Sequence, residues 1–180
     1  MGIIANILII IMEIIAFRIS FKRIRWEMFI YYTELSNLIT LISSAAYLLT
    51  GEKAAPLRYL SACGLTMTFL VTLCILVPMG GGFRKLMLEE NGLYHHTLVP
   101  VLSVLSYVLW EDHSTLWLLP VVLTIVYGLT MMYLNVIGKM DGPYPFLRVR
   151  HQSRRATILW FFALIGVITA ISFGVIWIAG

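Results

Sequence analysis

The amino-acid sequence predicts an all-α fold: a polytopic integral membrane protein in which residues 1–180 form one bundle of six transmembrane helices. Three observations predict it. Apolar residues make up 60% of the chain and charged residues only 12%, with a mean hydropathy of +0.90; soluble domains average roughly 45–50% and about 25%. The apolar residues fall into six runs separated by turn-forming or charged segments, and a membrane helix needs about 20 residues. The basic residues gather in alternate breaks between the runs, as the positive-inside rule requires. Together these exclude an ordinary soluble enzyme, a disordered chain and a disulfide-stapled secreted domain.

The first run, residues 2–17, carries one charge, Glu13, and is followed by the charged stretch Arg18 to Glu27. Nothing basic precedes it and no small-residue cleavage site follows, so it reads as a retained helix rather than a signal peptide. The second, 28–50, stops at Gly51, and Pro56 opens the approach to the third, 58–79, which stops at Gly80-Gly81-Gly82. The fourth, 94–110, is closed by Glu111-Asp112-His113-Ser114; the fifth, 115–138, runs to Lys139; the sixth, 157–179, follows a loop rich in arginine. Cys63 and Cys74 share one run, about 16 Å apart along a helix and too distant to bridge.

Eleven of the 13 basic residues follow runs one, three and five, leaving only Lys53 and Arg58 opposite. That asymmetry predicts a cytoplasmic face for the first group and both termini outside. The net charge of +4 is therefore a topology signal, not a nucleic-acid surface, and no nucleic-acid partner is expected. Trp26, Trp110, Trp117, Trp160 and Trp177 fall near the predicted interfaces.

Polar groups inside apolar runs are costly in hydrocarbon and mark candidate sites. Thr33, Ser36, Asn37, Thr40 and Ser44 recur at i, i+3, i+4, i+7 and i+11 and form one stripe. The stripe serves either to hydrogen-bond a neighbouring helix or to line a hydrated pocket. With the second helix starting at 28, Thr33 lies roughly 8 Å inside the cytoplasmic interface. His95 and His96 open the fourth helix on the same side, Glu13 nears the end of the first, and the loop Asp141 to Leu147, with Tyr144, is cytoplasmic too. Glu13 is a counter-charge to Arg18 or to a histidine, or else part of a site; Glu34 lies one position off the stripe and pairs with a loop arginine or joins the site. Pro100 frees a backbone carbonyl near His96.

Several chemistries are absent. His95-His96 lacks the i, i+4 spacing of a helical zinc motif, no Gly-x-Ser-x-Gly elbow occurs, and no phosphate-binding or dinucleotide glycine pattern is present. No metal and no cofactor are expected. A hydroxyl (Thr33), an imidazole (His95 or His96) and a carboxylate (Glu13 or Glu34) remain, which are the parts of base-assisted nucleophilic catalysis.

Three segments, Tyr32-Thr33-Glu34-Leu35-Ser36-Asn37-Leu38, Leu93-Tyr94-His95-His96-Thr97-Leu98-Val99-Pro100 and Tyr144-Pro145-Phe146-Leu147, resemble the androgen-induced and androgen-regulated multi-pass membrane threonine hydrolases and small bacterial membrane proteins of that superfamily. The resemblance runs from the second helix to the loop before the sixth. It implies hydrolysis of fatty acid esters of hydroxy fatty acids, with Thr33 as nucleophile and a histidine before Pro100 as its partner. Counting back from the proline points to His95, while the adjacent His-Thr pair points to His96. It also implies a bacterial inner-membrane setting, with membrane lipids and a lipid-like ester as partners.

The expected function is thus an intramembrane hydrolase of lipid-like esters, with Asn37 holding the pocket or contacting the oxyanion. The alternatives are a carrier or channel with a Glu/His proton or cation path, and a structural membrane subunit. Gly166, Ala170 and Gly174 on the sixth helix form a small-residue stripe for packing in the bundle or for a homodimer.

Overall fold

The structure, a computed structural model, describes residues 1–180, and it is helical throughout, with no strand. Six rods follow in order: α1 (Gly2–Ile24), α2 (Tyr32–Thr50), α3 (Ala55–Val71), α4 (Glu90–Trp110), α5 (Leu118–Val136) and α6 (Arg154–Ala179). α3 sits at the centre, packed against α2, α4, α5 and α6, while α1 closes the far side against α2 and α4. Five helical stretches are long and apolar enough to cross a membrane; one of them, Tyr32–Gly81, is a continuous run of 50 residues. That run turns back at Gly51, whose φ of 58° favours glycine, so α2 and α3 lie antiparallel.

Polarity is inverted relative to a soluble protein. Isoleucines 3, 4, 7, 11 and 14 of α1 and Phe162 and Phe173 of α6 face outward, while Asn6, Glu13, Asn37, Arg58 and His95 have no exposed surface. Helical segments with an apolar exterior and a polar interior are what hydrocarbon surroundings select.

The helix ends depart from the sequence reading in instructive places. α1 does not stop at residue 17 but continues through Arg18, Lys22 and Arg23 to Ile24, ending at Arg25 with φ 52°. Arginine and lysine are good helix formers, so the charged stretch continues the helix instead of breaking it. A tight 3₁₀ segment, Arg25–Ile30, then takes the place of the expected first turn of the second helix, and α2 begins at Tyr32. Thr33 therefore stands at the second residue of α2, not deeper, and Glu13 lies eleven residues, about 16 Å, before the end of α1 rather than one turn. α3 starts earlier than expected, with Pro56 in its first turn where no N–H is needed. α4 begins at Glu90, and α6 begins at Arg154 behind Ser153, whose hydroxyl accepts the Ala156 N–H at 3.2 Å. Replacing Ser153 by alanine is expected to lower stability by about 1 kcal/mol, read from reversible unfolding in detergent.

Three stretches adopt the wider π-helical register: Thr72–Gly81 beyond α3, which holds Pro78 and a non-helical Gly80 (φ 99°), Arg84–Leu88, and Leu93–Leu98 within α4. In that register the missing N–H of Pro100 would have served the His95 carbonyl rather than that of His96. Asn37 Nδ2 fills the gap, donating to His95 O at 3.5 Å.

The stripe on the sixth helix is corrected. Gly166 and Gly174 have nothing within 4 Å of the position a Cβ would take, so this stripe does not pack within the bundle.

Candidate functional site

Most of the α2 stripe joins helices. Ser36 Oγ meets Thr68 Oγ1 at 3.0 Å and Thr40 Oγ1 meets Ser61 Oγ at 2.8 Å, while Ser44 accepts from Arg58 Nη1 at 3.1 Å. Asn37 Nδ2 donates to Thr33 O at 2.7 Å. Ser36 and Asn37 line neither of the two cavities described below; their contacts run to α3 and α4.

Thr33 is the exception. Its place in the first turn of α2 leaves its N–H without an intrahelical acceptor, and Tyr144 Oη takes that N–H at 3.3 Å. The same phenol lies 3.3 Å from Thr33 Oγ1. Tyr144 is anchored by stacking on Phe146 and by an edge contact with Tyr31. Burial pushes its phenol up to about 12, so it keeps its proton at neutral pH.

Two cavities meet at this pair. A polar cavity of about 630 Å³ is lined by Thr33, Glu34, Tyr144, His96, Asn91, Arg23 and Lys85, with wide-turn residues Met79 to Gly81 forming one wall. A narrow apolar cleft of about 60 Å³ runs between α3, α5 and α6 past Met67, Val71, Ile125, Phe161 and Leu164. Thr33, Leu76 and Tyr144 border both.

The two histidines have different surroundings. His96 is half-buried, lines the polar cavity, and its Nδ1 lies 2.9 Å from Thr72 Oγ1. His95 is fully buried between two carboxylates: Nε2 is 3.1 Å from Glu13 Oε2 and Nδ1 is 3.3 Å from Glu34 Oε2. Both contacts are at ion-pair distance but off the in-plane N–H direction, so neither is an aligned hydrogen bond. Glu34 turns inward, accepting Ser20 Oγ at 2.7 Å and Asn91 Nδ2 at 3.3 Å; the loop-arginine pairing does not form, nor does one between Glu13 and Arg18. Thr33 Oγ1 has Tyr144 as its side-chain partner and no hydrogen bond to either imidazole.

At the other end of the bundle lies a cluster that the interfacial reading of Arg58 and the loop reading of Glu111 missed. Arg58, with no exposed surface, donates Nε to Glu111 Oε2 at 2.7 Å and Nη2 to Oε1 at 3.0 Å. Asn6 Nδ2 donates to the same carboxylate at 2.9 Å, and Ser106 Oγ does so as well. The spacing of Arg58, Ser61, Thr68 and Thr72 along one face of the third run was the available signal. Ser20 was similarly marked, seven residues from Glu13 on the same helix face.

Searches of protein-family models, of curated proteins and of solved structures find no match to this chain.

Proposed function

We propose that the protein is an intramembrane hydrolase of lipid-like esters, crossing the bilayer six times with both termini outside, in which Thr33 is the nucleophile and His96 its base. The observation that carries this reading is the position of Thr33, at the junction of a polar cavity and an apolar cleft. An ester with its carbonyl at that junction directs its polar part toward Arg23, Lys85 and His96 and its acyl chain toward the mouth of the cleft. The neutral Tyr144 hydroxyl and the free N–H groups of the first turn of α2 are donors for the developing oxyanion. A cavity water carries the Thr33 proton to His96, as catalytic hydrogen bonds that are open without substrate allow. The three-segment resemblance supports the same assignment, and with it a bacterial inner membrane. The basic-residue asymmetry supports the orientation.

The test is covalent labelling of the purified protein in detergent by a fluorophosphonate or acylating probe. Labelling that is lost in a folded Thr33→Ala variant is expected. Equal labelling of that variant would overturn the assignment. The buried Glu13–His95–Glu34 cluster favours a second reading, a proton-coupled carrier; solute flux in proteoliposomes without ester turnover would select it.

A further inference from the structure

The apolar cleft beside Thr33 owes its shape to a missing side chain. Seven residues make nearly two full turns of an α-helix, so Val121, Gly128 and Asn135 share one line along α5. Val121 and Asn135 are buried in the bundle. Gly128, between them, faces inward as well, yet no atom of a neighbouring helix lies within 4 Å of the position its Cβ would take. Glycine weakens a helix interior relative to alanine, and the close helix approach that compensates for it in membranes is absent here. The space it leaves is the cleft, which Gly128 lines together with Thr124, Ile125 and Met132, one turn to either side.

The far end of the cleft is closed. Cys63, Val121 and Ile168, one turn beyond the lining residues Met67, Ile125 and Leu164, are buried in one packed cluster and do not border it. The walls carry no charged side chain, and the hydroxyls beyond the mouth are already paired. Tyr32 Oη bonds Thr124 Oγ1 at 2.9 Å, Thr68 Oγ1 bonds Ser36 Oγ at 3.0 Å, and Thr157 Oγ1 donates to Ser153 O at 3.3 Å. The occupant such walls suit is a plain alkyl tail. A volume of about 60 Å³ holds about four to six groups of water size, so the tail is short.

We propose that the cleft is an acyl subsite for unfunctionalised chains of about four to six carbons, and that Gly128 sets that length; the inference rests on the hydrolase reading, with Thr33 at the mouth. A side chain at position 128 projects into the cleft and shortens it without moving the backbone. The larger polar cavity on the other side of Thr33 receives the alcohol part of the ester.

The experiment measures kcat/KM for 4-nitrophenyl esters from acetate to hexadecanoate on the full-length protein in detergent, counting only turnover that is lost in Thr33→Ala. The native protein is expected to peak between butanoate and hexanoate. Gly128→Leu is expected to lower the ratio of hexanoate to acetate by about tenfold or more, the effect of one misfitting methylene in an apolar pocket, and Gly128→Ala to lower it less. Leu164→Ala, which removes bulk from the facing wall near the closed end, is expected to move the maximum to longer chains. Each ratio is taken within one preparation, so the folded fraction cancels, and partition of the esters into micelles is common to every variant. A chain-length profile unchanged in Gly128→Leu, or native turnover that rises steadily to hexadecanoate, would overturn the subsite while leaving Thr33 as nucleophile. No Thr33-dependent turnover at any length would overturn the hydrolase reading itself, and the subsite with it.

Discussion

Replacing Arg58 by leucine is expected to destabilise the folded protein by about 3–5 kcal/mol, the cost typical of removing one partner from a buried ion pair. Neither side chain of the pair has exposed surface, and the guanidinium engages both carboxylate oxygens. Without it, Glu111 stays in the interior with only Asn6 and Ser106 as donors, and Ser44 loses its donor. The cluster ties α1, α2, α3 and the end of α4 together, so the loss is global rather than local. A double variant, Arg58→Leu with Glu111→Leu, is expected to recover part of the loss, because no unpaired charge then remains. Reversible unfolding in mixed detergent micelles reads both. A single-variant loss under about 1 kcal/mol, the usual worth of an exposed pair, would mean the pair is hydrated in the working protein.

Arg58 also shows where sequence reading reaches its limit. Hydropathy alone separates the six rods, because each must hide its own backbone polar groups. It also marks the α2 stripe, since a polar side chain in such a run must find a partner or water away from lipid. What it lacks is rotation and partner. Arg58 follows Pro56 and Leu57 in a short connection, so it reads as an interfacial residue; the helix in fact begins at Ala55 and turns the side chain inward. Glu34 stands off the stripe by one position, about 100° of rotation. Because α2 starts four residues later than expected, that rotation brings it against α1 and α4 rather than toward solvent. The convergence of Thr33, Tyr144 and a histidine on one end was legible from loop polarity. Which of two adjacent histidines joined them was not, since that depends on the wide turns of Leu93–Leu98.

Replacing His96 by glutamine is expected to lower ester turnover by about 10²–10⁴, the contribution of a positioned base. Replacing His95 by glutamine is expected to cost stability and to leave turnover per folded molecule nearly unchanged. The difference follows from what each ring has left to offer. Both nitrogens of His95 face carboxylates at ion-pair distance, and the ring has no exposed surface. His96 borders the cavity and has one contact, Nδ1 to Thr72 Oγ1 at 2.9 Å. In the tautomer that donates Nδ1–H to Thr72, Nε2 keeps its lone pair for the proton of Thr33, and Thr72 acts as the orienting group that catalytic imidazoles require. Steady-state turnover of one fatty acid ester, normalised to the folded fraction read by size exclusion in detergent, separates the two roles. The reverse pattern, with His95→Gln abolishing turnover and His96→Gln sparing it, would move the base to His95.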